Sequence, residues 1–177
     1  MKTDLYFNKH GVLPPGDYPL TFSQIQGSIL VQGASSTWDV KWRSSLVENL
    51  KILVSHLWKQ DIHEIYVNGS FVEDKDHPND IDGYFNCDIN TFSLLQSNLQ
   101  KMDPCWTWDP SQRVRIQGSS KAQLPMWHKY HVELYPHFAG LMSGIRDEFG
   151  NDQPFPAAFR KTRGNPRIRK GIVKIIK

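Results

Sequence analysis

Hydrophobic positions along this chain follow two periods, and the switches between them mark its elements. From Trp38 to Gln60 the residues Leu46, Leu50, Leu53 and Leu57 recur at helical spacing, which predicts one long helix with a single buried stripe. The chain then changes to short apolar runs. EIYVN (64–68) reads as a buried strand that ends at Gly69-Ser70, and DIDGYFNC (80–87) alternates and reads as a second. Asn90 is placed to cap a helix carrying Phe92, Leu95 and Leu99. RVRIQ (113–117) is a weaker strand candidate. YHVELY (130–135) is a better one, with Val132 and Leu134 on one face and His131, Glu133 and Tyr135 on the other. Residues 137–149 are expected to be helical, and GIVKII (171–176) is the last strand.

Ahead of the long helix, GVLPPGDYP (11–19) is turn-rich and reads as a surface arm. Thr21 or Ser23 is expected to cap a short helix running to about Val31. Residues 33–36 form a break, with Ser35 or Ser36 as the next cap. Strands interleaved with helices predict an α/β (α+β) fold: a small mixed β-sheet flanked by helices. The expected organisation is a single compact domain. Residues 1–60 supply an arm and packing helices, 61–159 the core, and 160–177 a basic strand or tail.

Composition adds three constraints. A chain of 177 residues with 39% hydrophobic and 22% charged residues is large enough to bury a core without staples. Its apolar windows are interrupted before the roughly 20 residues a membrane span needs, and residues 1–9 lack the apolar core of a signal peptide. Cys87 and Cys105 read as packing residues, which fits a reducing cytoplasm and no membrane partner. Six tryptophans read as core and shelf packing, with a stacking surface for a base as the other reading.

Charge changes the picture further. The formal net charge is +3, but residues 160–177 hold eight Lys or Arg and no acid, so +3 less those eight leaves the first 159 residues at −5. A basic tail on an acidic body points to a polyanionic partner. A solvated strand with outward lysines explains the charge equally well.

The candidate chemistry lies in YVNGSFVEDKDHPNDIDGYF (66–85). Glycine lets a phosphate approach the backbone, and the Ser70 hydroxyl with exposed N–H groups can hold phosphate oxygens. Asp80 and Asp82 are two apart in a strand and share a face, so they repel unless a cation lies between them. Mg²⁺ is the usual one. Glu133 would complete a three-carboxylate cluster if its strand neighbours the Asp pair. Taken alone it reads as a solvent-facing acid. Lys75 and His77, in the intervening loop, read as solvated groups or as triphosphate contacts. His128, His131 and His137 match no zinc spacing and read as structural or surface groups.

Gly69-Ser70, nine residues, Asp80-x-Asp82 and a later strand acid together resemble the signature of the DNA polymerase β-like nucleotidyltransferase superfamily, most clearly over residues 67–84. The run Pro78-Asn79-Asp80-Ile81-Asp82 is similar to its small stand-alone branch, met beside toxin–antitoxin and phage-defence genes. Residues 159–176 are similar to an uncharacterised part of that branch. Two departures stand out. Glu133 replaces the commoner Asp, and the gap is at the short end, leaving little room for a long phosphate-binding helix.

The resemblance implies a polymerase β-like core and transfer of NMP from an NTP to an acceptor hydroxyl, releasing pyrophosphate. It implies two Mg²⁺ (or Mn²⁺) ions on Asp80, Asp82 and Glu133, and triphosphate held by Gly69, Ser70 and Lys75. Arg160, Lys161, Arg163, Arg167, Arg169 and Lys170 are candidates to hold RNA, with tRNA a reasonable acceptor. AMP transfer to a protein is an alternative. Others are a non-catalytic nucleotide- or RNA-binding antitoxin or regulatory partner on the same fold, and a structural phage protein with an incidental Asp pair.

Overall fold

The chain enters the fold on an edge strand, where the sequence predicts a loose arm. The computed structural model describes residues 5–33, 35–115, 121–147, 149–163 and 166–177. Strand β1 (Asp17–Leu20) is followed by α1 (Phe22–Gln26) and α2 (Ile29–Gln32). Thr21 forms a capping box with Gln24, and Ser28 caps the second helix, so the expected single helix is two short ones broken at Gly27-Ser28. The long helix α3 (Val40–Trp58) follows. Its cap is Asp39, whose carboxylate accepts the Trp42 N–H at 2.9 Å. Ser35, one of the predicted caps, instead bonds Asp76 at 3.1 Å.

Next come β2 (Ile65–Asn68), a single 3₁₀ turn over Gly69–Val72, β3 (Ile81–Asn86) and α4 (Phe92–Met102). Thr91, not Asn90, stands at the start of α4, and the Asn90 amide is used in a turn on Asp88. A two-stranded hairpin, β4 (Val114–Arg115) with β5 (Ala122–Gln123), covers the described part of the RVRIQ strand; Ile116 and Gln117 lie outside the described residues. Then come α5 (Pro125–Tyr130) and β6 (Val132–His137). The expected helix over 137–149 is instead a hairpin, β7 (Met142–Arg146) with β8 (Asp152–Pro154). Gly140 and Gly144, both at positive φ within that stretch, set it against helix. α6 (Phe155–Phe159) and β9 (Ile172–Ile175) complete the chain.

Five of the described strands form the main sheet in the order β1-β9-β2-β3-β6. It is mixed: β1–β9 and β3–β6 are parallel, while β2 is antiparallel to both neighbours. The β1–β9 pairing is why the turn-rich arm holds a strand. Tyr18 aligns with Val173, and Val12 and Leu13 are buried, a contact between distant segments that local polarity does not carry.

Strand alternation then sorts the two faces. Ile65, Val67, Ile81, Phe85, Val132, Leu134, Val173 and Ile175 join Leu46, Leu50, Leu53 and Leu57 of α3 in one core. The opposite face carries the row Asn68, Asp82, Glu133 and beside it the row Tyr66, Tyr84, Tyr135. α6 covers the tyrosine row, with Phe155 and Phe159 packed on Tyr84. The carboxylate row is left at the cleft.

Candidate functional site

Asp82 and Glu133 are register partners on the parallel strands β3 and β6, and Asn68 is the partner of Asp82 on β2. Alternation on two separate strands, once paired, therefore sets two carboxylates side by side. Both are buried, Asp82 at 9% exposure and Glu133 at 6%, so neither is the solvent-facing strand acid that Glu133 resembles when read alone. Asp80 sits one residue before β3 and lines the same cleft, whose volume is about 1310 Å³.

Burial is the largest force on the Asp82 carboxyl, followed by repulsion from Asp80. Together with Glu133 they outweigh the nearby Arg163 and Lys170 and push its pKa up to about 6. Each acid is turned to its own neighbour. Trp127 Nε1 donates to Asp80 Oδ2 at 2.8 Å, Tyr135 Oη donates to Glu133 Oε2 at 2.8 Å, and Arg163 Nη2 reaches Asp82 Oδ2 at 3.4 Å. Among the described residues no three His, Cys, Asp or Glu side chains form a group arranged to hold an ion. The donor chemistry nevertheless fits a hard divalent cation. Glu133 Oε1 is buried with no hydrogen-bond partner, a cost that is relieved only by a proton donor or a cation.

The turn at Gly69 is built against Asp82. Gly69 has φ +74°, and a Cβ there would lie 2.6 Å from Asp82 Oδ2. Asn68 Oδ1 accepts the Gly69 N–H at 2.7 Å, and Lys170 Nζ donates to the Gly69 carbonyl at 3.0 Å and to Glu73 at 2.5 Å. Ser70 and Lys75 also line the cleft. Gly69→Ala is therefore expected to lower stability by about 1–3 kcal/mol, combining positive-φ strain with the carboxylate clash. Chemical denaturation measures it; a wild-type midpoint would show that the turn relaxes without cost.

A match to the family model of DUF6932, described as a family of unknown function, runs over residues 5–176. The chain belongs to that family. No curated protein and no solved structure matches it.

In this DUF6932 chain the basic residues of the tail have different surroundings. Arg160 bonds Asp17 at 2.5 Å and the Tyr84 hydroxyl beside it, and Lys170 is 4% exposed and braces the Gly69 turn. Both are engaged in contacts within the fold, Arg160 half-exposed and Lys170 at the cleft wall. Lys161, Arg163 and Arg167 line the cleft, Arg167 donating to the Arg146 carbonyl at 2.8 Å. Arg169 is exposed and does not line it.

Sequence reasoning named His77 as a possible triphosphate contact and the tryptophans as a possible stacking surface, but placed none of Trp42, Trp127 and His131 at the site. Trp42, His77, Trp127 and His131 line the same cleft as Gly69 and Asp82. Trp42 stands one residue before the α3 stripe position 43, a signal that it lies at the edge of the buried face. The structure also gives His131 a left-handed conformation, φ 51°, immediately before β6.

Proposed function

We propose that this chain is a divalent-metal-dependent nucleotidyltransferase that moves NMP from an NTP to an acceptor hydroxyl, with RNA the favoured acceptor. The observation that carries this reading is the row Asn68, Asp82, Glu133 with the Gly69-Ser70 turn packed on Asp82. It unites a phosphate-type turn and paired buried carboxylates on one sheet face, and Lys161, Arg163 and Arg167 supply positive charge at the cleft wall.

On this reading Asp80, Asp82 and Glu133 hold Mg²⁺ or Mn²⁺. Such ions, when bound, neutralise triphosphate charge and lower the pKa of an attacking hydroxyl. Gly69 lets a phosphate oxygen come close to the backbone, and the Ser70 hydroxyl orients it. Arg163, whose side chain is 82% exposed, is placed to exchange the Asp82 carboxylate for triphosphate oxygens. Lys75 lies within the same wall. The acceptor oxygen forms its bond to the α-phosphorus as the bond to the β-phosphate bridge breaks, and pyrophosphate departs. The protein contributes positioning and charge.

Incubation with Mg²⁺, each α-labelled NTP, and total RNA or cell lysate tests this. Label is expected on a macromolecule with the native chain and not with the double variant Asp80→Ala/Asp82→Ala. Folded protein that binds nucleotide calorimetrically yet transfers no label would replace this reading with that of a non-catalytic binding partner. Label on protein instead of RNA would move the acceptor assignment to a protein hydroxyl.

A further inference from the structure

The cleft holds a second constructed feature beyond its carboxylates. The rings of Trp42 and His77 lie 5.0 Å apart at an interplanar angle of 10°. One carboxylate touches both residues: as the helix cap, Asp39 Oδ1 accepts the Trp42 backbone N–H at 2.9 Å, and Oδ2 bonds the His77 ring at Nδ1 at 2.8 Å. Trp42 is held a second time, its Nε1 donating to the Pro78 carbonyl at 2.6 Å. A loop histidine with a 56% exposed side chain would ordinarily sample several rotamers, and holding it flat costs entropy. Here the bond to Asp39 and the stacking on Trp42 offset that cost, and both rings line the cleft.

The stack is continuous with the carboxylates. His131 packs edge-on to Trp42 at 5.0 Å and lies 4.6 Å from Trp127, whose Nε1 holds Asp80. A line of rings thus runs from an exposed platform to the first acid, and the phosphate-type turn opens on the same cleft. A rigid, solvent-facing aromatic pair beside a phosphate cradle is suited to one class of ligand: a flat heteroaromatic ring carrying phosphate.

We propose that the Trp42–His77 stack is a seat for a nucleobase, with the base lying on the outer face of His77. This inference rests on the nucleotide reading of the cleft and adds the residues that hold the base. Two sources share the chemistry, the base of the NTP and a base of the acceptor strand.

The test is calorimetric binding in Mg²⁺ of ATP, inorganic tripolyphosphate and a short single-stranded oligoribonucleotide. It compares the native chain with His77→Ala and His77→Phe, each checked for folding by its melting temperature. His77→Ala is expected to weaken one base-bearing ligand roughly ten-fold or more, with tripolyphosphate within two-fold of native, and His77→Phe to restore most of the loss through stacking alone. Weakened ATP assigns the seat to the NTP; weakened oligonucleotide with unchanged ATP assigns it to the acceptor. The proposal is overturned if neither changes, if the native chain binds no base-bearing ligand, or if tripolyphosphate weakens in parallel, which would make His77 a loop brace. Label transfer separates this proposal from the function. Transfer that persists in His77→Ala with unchanged KM removes the seat and leaves the transferase. His77-dependent ATP binding without product removes the transferase and leaves the seat.

Discussion

Asp82→Asn is expected to abolish nucleotide transfer while making the metal-free protein more stable. The loss follows from the central place of Asp82 in the row, beside Glu133 and against the Gly69 turn. Removing one carboxylate of the set is expected to cost at least about a thousand-fold in rate, or about 4 kcal/mol of barrier.

The gain in stability follows from the same burial. With a folded pKa of about 6, Asp82 holds its proton in the folded state over a range where the unfolded chain, near 3.9, has released it. Its contribution to stability is therefore fully present below about pH 4 and is lost as pH rises through about 6. Above that, the charged carboxylate destabilises the metal-free fold by roughly 2–3 kcal/mol. The Asn variant removes this cost, so its melting temperature at pH 8 is expected to rise by about 4–8 °C, and by less at pH 5. Mg²⁺ is expected to raise the melting point of the native chain at pH 8 and to leave the variant nearly unmoved. A variant less stable than the native chain at pH 8, or one that responds equally to Mg²⁺, would refute the account.

Arg43→Met is expected to give the largest loss of stability, about 3–5 kcal/mol. Arg43 is fully buried in α3 and its guanidinium serves three carbonyls from separate segments. It donates to Leu30 O, to Phe71 O and, at 2.8 Å, to Lys75 O. The Trp38 and Phe71 rings sit 4.2 Å and 4.8 Å from its central carbon. Burial pulls its pKa down to about 10, against the raising effect of Asp74 and Asp76, so it remains charged at neutral pH. Methionine fills similar volume but leaves three acceptors without donors. Because two of them lie in and just after the Gly69–Val72 turn, phosphate binding is expected to weaken with stability. Urea denaturation reads the first effect and tripolyphosphate calorimetry the second. Arg43→Lys is expected to fall between, since one ammonium cannot reproduce the planar fork. An unchanged urea midpoint for Arg43→Met would show that the loop holds without the clamp.

Much of the local structure was legible. The leucine stripe marks α3, short apolar runs mark β2 and β9, alternation marks β3 and β6, and Thr21 is one of the two expected caps of the first helix. Each of these depends on period or on a neighbour within four residues, information that sits in a short window. The pattern also placed Glu133 on the face opposite Val132 and Leu134, as observed. Position 43 even falls on the extended leucine stripe, three residues before Leu46, a sign that its arginine would be buried.

The rest required the tertiary structure. Whether Glu133 meets Asp82 depends on β3 and β6 pairing in one particular register, and a slip of one residue would turn the acid into the core. Lys170 looked like part of a basic surface, and only the return of the chain to β9 carries it under the Gly69 turn. The turn-rich start of the chain became an edge strand because β9 offered it a parallel partner. By itself the sequence determined the periods of the elements and which side chains share a face. The tertiary structure decided which faces meet, because strand register and the partners of a buried charge are set by contacts between segments remote along the chain.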